Sequence, residues 1–361
     1  MELFKDCIKF VITRAFFVLC FNVTLCHEVF GYDQCYYVSS TIGSNSNDGL
    51  TELTPMKDLS KVPKENAIIR LKCDDVFWGG LSGYKNCVIE SYGKGAKPVI
   101  CGFKVLINPE AWKQVEEELW ELDLNSNNNF GGNTNVDSLN VLINNIGFIY
   151  DASKDKLYGR NRNSLDSLKN EMDFYTSINY SKEMIKEHPF RTVVVKSKNN
   201  PSEHGNLCFP MFQSGISDIS NCKIIGISIV GFSAMGLVFL KNCYVDDCQI
   251  DLIGGAIQIG NSRWARYGNG VELWYNYCNN TITNCLISRT YDCATTIQAN
   301  GEIKSNPQNN RFIGNRLYKC RQAFEHFMNP SDNKDVQYES SSNLRKRNRK
   351  HIPAFWKDSV F

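Results

Sequence analysis

Between positions 263 and 275 the chain reads Arg263-Trp264-Ala265-Arg266-Tyr267-Gly268-Asn269-Gly270-Val271-Glu272-Leu273-Trp274-Tyr275. Two arginines, four aromatic side chains and one carboxylate fall within thirteen residues. Aromatic faces stack on the apolar faces of sugar rings, and a guanidinium can fork onto a uronate carboxylate. The same aromatics could equally bury an insertion against the body of the protein. Downstream lie Asp292, Gln298, Glu325 and His326. Glu272 with Asp292 could form an acid/base pair for glycoside hydrolysis, where carboxyl separation decides the stereochemical course. Alternatively Arg266, Tyr267 or His326 could serve β-elimination from a uronic acid, a cation neutralising the carboxylate while a base removes the adjacent proton. Arg263, Trp264, Tyr267, Trp274, Gln298 and Glu325 then fall to substrate binding. Against both readings, Glu272 and Asp292 could simply cap turns by accepting from backbone amides.

Other chemistries find no support. Gly231-Phe232-Ser233-Ala234-Met235-Gly236 misses the nucleophile-elbow spacing by one residue. Gly93-Lys94-Gly95 lacks the third glycine of a dinucleotide loop. His27, His188, His204, His326 and His351 show no metal-ligand spacing, so no metal site and no cofactor are expected from them. Calcium suits the hard oxygens of Asp246, Asp247 and Asp251, although their spacing fits no EF-hand and solvent-facing strand positions explain them as well.

The elements that must carry these residues show in a repeat between 220 and 325. Two apolar residues stand five apart in Ile224/Ile229, Val245/Ile250, Ile282/Ile287 and Phe312/Leu317. Three residues before each pair comes Asn221, Asn242, Asn279 or Asn309, followed by Cys222, Cys243, Asn280 or Asn310. A third apolar column is read at Leu237, Ile257, Ile297 and Phe324. The repeats are 21, 37 and 30 residues apart, the longer two carrying insertions around 261–277 and 300–308. A chain that winds one coil per repeat stacks each strand on its counterpart about 4.8 Å away. Apolar residues then form interior rows, asparagines bond one another along the axis, and asparagine also suits a left-handed corner. Cys222 with Cys243, and Cys248 with Cys285, read as small interior residues. The predicted fold is all-β, a right-handed parallel β-helix solenoid with long loop insertions.

Upstream, strand-like runs occur at 36–38, 67–71, 87–90 and 98–100, and Asn86-Cys87 echoes the later Asn-Cys steps. Asn108-Pro109-Glu110 reads as a helix start and 120–124 alternates like a strand. Residues 106–205 read as irregular insertions, Asn-, Ser- and Lys-rich over 125–205. The predicted organisation is a signal peptide over 1–31, a β-helix domain over 32–327 with its clearest coils at 206–327, and a polar, basic tail over 328–361.

Composition agrees with a globular chain. Of 361 residues, 42% are hydrophobic and 22% charged, and 40 basic against 38 acidic side chains leave a formal charge of +2. That balance gives no electrostatic footprint for nucleic acid, and the basic run 344–350 reads as a solvated tail. Fifteen cysteines contain no CxxC pair, which excludes zinc-ribbon and thioredoxin-like motifs. Lys5, Lys9 and Arg14 precede Ala15–Cys26, where ten of twelve residues are apolar. This reads as a secretory signal cleaved between Leu25 and Tyr32, the run being short of the roughly 20 residues of a membrane span. An N-terminal anchor is the competing reading, and Val23-Thr24-Leu25-Cys26 is similar to a lipoprotein box except for bulky Leu25. Export to the periplasm, the cell surface or the medium would permit disulfides, yet the column positions favour free thiols.

Tyr36-Tyr37-Val38-Ser39, Gly43-Ser44-Asn45-Ser46-Asn47-Asp48-Gly49 and Thr54-Pro55 resemble the opening of exported bacterial proteins of the pectate-lyase-like, right-handed β-helix superfamily. Tyr92-Gly93 with Ala96-Lys97-Pro98-Val99-Ile100 and Gly102 is similar to its first-coil motif. Gly268-Asn269-Gly270-Val271-Glu272, and Tyr291-Asp292 through Gln298, resemble its later coils. The resemblance covers roughly 35–325 and implies fold more than reaction, since the superfamily holds lyases, hydrolases, epimerases and non-catalytic members. Its members continue through more coils, whereas here the repeat stops near Phe327, so either 328–361 caps the solenoid or the chain is truncated. The expectation is an exported protein acting on an extracellular polysaccharide, as lyase or glycoside hydrolase. The alternatives are a non-catalytic carbohydrate-binding or structural surface protein, or a truncated inactive relative. The expected partner is a polysaccharide, with no nucleic acid, no stable membrane span in the mature chain, and a monomeric state.

Overall fold

Six asparagines hold one corner of the molecule. Asn66, Asn86, Asn221, Asn242, Asn279 and Asn309 all take left-handed backbone angles, with φ between 51° and 58°. Each side-chain amide from Asn86 onward donates to the carbonyl of the asparagine before it, over 3.1, 2.9, 2.9, 2.9 and 3.1 Å. The residue after each corner is buried: Ala67, Cys87, Cys222, Cys243, Asn280 and Asn310. The computed structural model that shows this ladder describes residues 31–124, 127–131, 145–176, 192–258, 265–274, 277–298, 309–327 and 344–345. The signal segment expected at 1–31 lies outside them except for Gly31, as do Arg263, Trp264, Tyr275 and most of the tail.

From each corner the chain runs through three parallel sheets before returning one rung further on. The first sheet stacks 34–38, 67–72, 88–92, 223–225, 244–246, 281–283 and 311–313. The second stacks 76–78, 99–101, 228–232, 249–253, 286–290, 316–318 and 344–345. The third stacks 81–82, 214–220, 235–241, 271–274, 293–298 and 322–327. The predicted parallel β-helix solenoid is therefore the observed architecture, and 344–345 brings part of the tail back as one more rung. Among the described residues no helix is long and apolar enough to cross a membrane.

In-register stacking converts one apolar residue per strand into a row. The first sheet buries Ile69, Ile89, Ile224, Val245, Ile282 and Phe312 in register, none more than 1% exposed. The second turns the same pattern on Phe77, Ile100, Ile229, Ile250, Ile287 and Leu317. Burying each such side chain contributes about 1.5–3 kcal/mol. Between these sheets each coil turns on a second left-handed column, Gly226, Asp247, Asn284 and Gly314, followed by Ile227, Cys248, Cys285 and Asn315. The twelve cysteines from Cys35 to Cys320 are free thiols, nine of them buried.

The third row departs from the expectation. It runs Leu81, Ile216, Leu237, Val271, Thr295 and Phe324, so Ile257 and Ile297 are not its members. Seventeen residues, 254–270, separate the second strand of their coil from the third, and a count of constant length from Ile250 lands among them. Ile257 instead forms an isolated antiparallel bridge with Arg266, and Ile297 sits two residues beyond the row, beside Leu273.

Between 103 and 210 the chain leaves the coil after its second strand, and the described residues there form two five-stranded sheets where irregular insertions are expected. One joins 130–131, 103–106, 207–210, 149–151 and 156–158; the other joins 161–162, 174–176, 192–196, 119–123 and 113–116. Asn108 does cap a short 3-10 turn over Pro109–Ala111. Phe103, Phe148 and Tyr150 of the first excursion sheet pack with Cys101 and Leu252 on the outer face of the second coil sheet. Arg289, paired with Asp251 on the coil and Asp155 on the excursion, ties the two together. The candidate site lies on the outer face of the third sheet.

Removing one ladder asparagine tests the corner. Asn242→Ala loses two ladder bonds and places a Cβ-bearing residue without a local side-chain bond in the left-handed region, an expected loss of about 2 kcal/mol in urea unfolding. Asn242→Gly loses the same two bonds but keeps the conformation accessible, and should lose about 1 kcal/mol less than Asn242→Ala. Equal losses would mean that backbone angle is not what asparagine supplies.

Candidate active site

Successive residues of a strand point to opposite sides, so the residue after each member of the third interior row faces outward. Register therefore aligns Val238, Glu272, Thr296 and Glu325 on the outer face, one rung apart. Glu272 and Glu325 are thus two rungs, about 9.6 Å, apart at the backbone. Asp292 stands at the corner just before the strand 293–298. Its N–H donates to the Gly268 carbonyl at 2.9 Å, and its carbonyl accepts from the Gln322 N–H at 2.9 Å. Only glycine fits at 268, because a Cβ there would meet Tyr291 Cβ at 2.6 Å and the Asp292 nitrogen at 2.7 Å.

These turns bring two carboxyls and a thiol together. Oxygens of Asp292 and Glu325 and the Cys293 sulfur all lie within 4.8 Å of one another. The Cys293 Sγ donates to Glu325 Oε2 at 3.8 Å, and Gln322 Nε2 donates to Asp292 Oδ1 at 3.3 Å. Glu272, 3% exposed, accepts from Asn269 Nδ2 and from Trp274 Nε1, each at 2.5 Å. Asn269 in turn accepts from the Cys293 N–H at 3.1 Å through Oδ1. The Thr296 hydroxyl, between Glu272 and Glu325 in the row, is buried with no hydrogen-bond partner among the described residues.

Burial raises all three carboxyls above their ordinary values. For Glu272 the charges of Asp292 and Glu325 add to burial, while the Asn269 and Trp274 bonds oppose it. For Asp292 the Arg321 charge and the Gln322 bond pull the other way. For Glu325 the Asp292 charge adds to burial, against the Cys293 bond and Arg321. Burial and the two acids also push the Cys293 thiol far up, so it stays protonated. Two soft aromatic walls complete the face: Tyr267 and Trp274, with Phe239, pack on Ala234, Met235 and Val238.

The structure thus joins Glu272, Asp292, Glu325, Tyr267 and Trp274, with Gln298 half-buried in register beside Trp274. His326 takes the backbone register position of Ile297. Arg266 is not brought in. Its guanidinium donates to Gly255 O at 2.9 Å, Asn161 O at 3.0 Å and Asn163 Oδ1 at 3.3 Å, lashing the 254–268 loop to the excursion. Arg263 and Trp264 lie outside the described residues. The three aspartates weighed for calcium do not converge: Asp246 accepts from Asn284, Asp247 pairs with Lys97, and Asp251 accepts from Ser288 and Arg289. Asn269, Cys293, Thr296, Arg321 and Gln322 went unread in the sequence. The outward row would have shown had Val271 and Thr295 replaced Ile257 and Ile297 in the third column.

Two other features are apart from this face. Ser197, His204 and Glu171 cluster on the excursion, but His204 Nε2 faces both Ser197 and Glu171, so the imidazole does not stand between them with one ring nitrogen toward each, as a proton relay requires. A cavity of about 380 Å³ opens at the first coils, between Thr41, Leu59, Phe77, Leu81 and Tyr84.

No protein-family model matches the sequence, and no curated protein matches it. Among solved structures, the chain is similar to a GH136 lacto-N-biosidase from Eubacterium ramulus at 15% identity and a TM-score of 0.39, over 80% of this chain and 42% of that one. The selenomethionine derivative of that enzyme gives 16% and 0.38 over 79% and 41%. Pectate lyase Pel9A gives 10% and 0.24 over 86% and 80%. The chain thus spans about two fifths of the length of the biosidase, and what its face can do rests on its own residues.

Because the three folded-state values are raised, the stability linked to these carboxyls is complete below the ordinary carboxyl range and is lost as pH rises through the raised values. Glu325→Gln removes one of the charges and should raise Tm by about 1–3 °C at about pH 7.5. The gain should close by about pH 4, where wild type is itself protonated. A variant less stable than wild type by the same margin at both pH values would show that the Glu325 charge is not strained.

Proposed function

We propose that this chain is a glycoside hydrolase that cleaves a neutral glycan on the outer face of its third sheet. The observation that carries this reading is the approach of the Asp292 and Glu325 carboxyls to within 4.8 Å on an aromatic-walled surface. Retaining glycosidases hold two carboxyls about 5–5.5 Å apart, inverting ones about 6.5–9.5 Å apart to admit a water. The pair fits the first class.

The roles follow from the surroundings. Burial raises Asp292, but the Arg321 charge and the Gln322 bond support its ionised form, and it is assigned the nucleophile. Glu325, raised by burial and then by the Asp292 charge, holds a proton more readily than an ordinary glutamate and is assigned the acid. Glu325 protonates the glycosidic oxygen as Asp292 attacks the anomeric carbon, so the leaving sugar departs as an alcohol and a glycosyl ester forms. Glu325, now ionised, takes a proton from water as that water attacks the ester, which frees Asp292 and regenerates the acid.

Electrostatics favours hydrolysis over elimination. The three acidic groups outnumber Arg321 on this face, which disfavours a uronate, and the Arg266 guanidinium read for elimination is held by carbonyl oxygens elsewhere. Export, as read from residues 1–31, would set such an enzyme against extracellular glycans.

The test is a panel of neutral and uronate glycans, followed by release of reducing ends and by absorbance from new double bonds. Neutral glycans should yield reducing ends, with Asp292→Asn and Glu325→Gln each slower by about 10³-fold. Asp292→Gly with added azide should regain turnover and give a glycosyl azide of inverted configuration. Double bonds formed from uronates, or glycan binding by wild type without any cleavage across the panel, would overturn the reading.

A further inference from the structure

We propose that Glu272 is a positioning residue, which sets the Trp274 indole as a stacking floor for a pyranose ring next to the one being cleaved, and that it exchanges no proton with the substrate. The inference rests on the hydrolase reading and assigns a subsite within it.

Both oxygens of Glu272 are engaged by the protein. Oε1 accepts from the indole N–H of Trp274 and Oε2 from the amide of Asn269. At 3% exposure the carboxylate has no open approach for a glycosidic oxygen or for water. A general acid must reach within hydrogen-bond distance of the group it protonates. Glu272 reaches the indole instead.

The chain of bonds has a direction. Trp274 is tied to Glu272, Glu272 to Asn269, and Asn269 through Oδ1 to the Cys293 N–H at 3.1 Å. Cys293 follows Asp292, so the plane of the indole and the position of the attacking carboxylate are referred to one short network. Packing on Ala234, Met235 and Val238 supports the ring from below. An indole held at its N–H and at one side is a flat apolar surface that matches the C–H face of a pyranose.

Placement follows from register. Trp274 lies two residues beyond Glu272 on one strand, about 6.7 Å along it, and Glu325 lies two rungs, about 9.6 Å, away along the axis. A glycan lying on Trp274 and reaching Asp292 and Glu325 therefore runs across the rungs, and the indole serves a neighbouring ring. A neutral sugar suits both the floor and the acidic row.

Kinetics and binding of Glu272→Gln, Glu272→Leu, Trp274→Ala and the double variant Glu272→Leu/Trp274→Ala test this. Glu272→Leu and Trp274→Ala should each raise KM about tenfold, with kcat down less than about fivefold and both limbs of the pH profile in place. The double variant should be no worse than Trp274→Ala alone, since the two act as one unit. Glu272→Gln still accepts from the indole but faces Asn269 with a second donor, and should raise KM only about threefold. That variant also decides the matter if Glu272→Leu fails to fold. A fall of about 10³-fold in kcat for Glu272→Gln with loss of a pH limb would make Glu272 an acid or base and overturn the proposal.

Titration of glycan against tryptophan fluorescence separates the two readings. If wild type binds a neutral glycan but does not cleave it, the hydrolase reading fails, while a tenfold weaker binding in Glu272→Leu and Trp274→Ala still supports the subsite. Unchanged binding in both variants overturns the subsite whatever the activity.

Discussion

Everything in this molecule depends on closing each coil at a fixed pitch. A parallel strand must meet its counterpart about 4.8 Å along the axis, so the chain has to turn three corners and return in phase. The Asn66-to-Asn309 ladder solves one corner six times with one side chain: the amide tolerates the left-handed backbone and bonds the rung before it. Once that corner repeats, the interior rows follow, because a shift of one residue would turn every Ile and Val outward. The same phase sets which residues face out, and so lines up Glu272, Thr296 and Glu325.

Insertions obey the same constraint. The excursion 103–210 and the loop 254–270 both leave between the second and third strands of a coil, where extra length costs no register. The excursion covers the second sheet and the loop delivers Tyr267, Gly268 and Asn269 to the third. Arg266 belongs to that joint: its guanidinium holds loop and excursion together, and its work is structural. The face that results buries three carboxyls whose values burial raises, and Asp292 raises those of Glu272 and Glu325 further, an arrangement less stable than an apolar one.

The coil corners were legible because they depend on local chemistry repeated in order. Asn221, Asn242, Asn279 and Asn309, with the pairs that begin at Ile224 and Ile229, announce both a left-handed turn and two interior rows, and Asn86-Cys87 extends them upstream. Asn66 escaped notice because Ala67 stands where the others carry Cys or Asn. The third row was misread at Ile257 and Ile297, since a variable loop between second and third strands destroys any count of fixed length. The excursion read as irregular because its strands are short, separated by polar runs and paired across long distances, as 119–123 is with 192–196.

What the sequence determined by itself is the solenoid and the set of reactive side chains: Glu272, Asp292, Glu325, Tyr267 and Trp274 are all visible as types in a row of repeats. What only the tertiary structure decided is their assembly. Asp292 meets Glu325 across 33 positions because two coils stack, and Glu272 turns to Trp274 and Asn269 because burial leaves it no other partner. Arg266, the best cation on paper, is withdrawn by carbonyl oxygens more than a hundred residues away. Residue type is written locally, whereas distance, burial and competing partners exist only once the coils have closed.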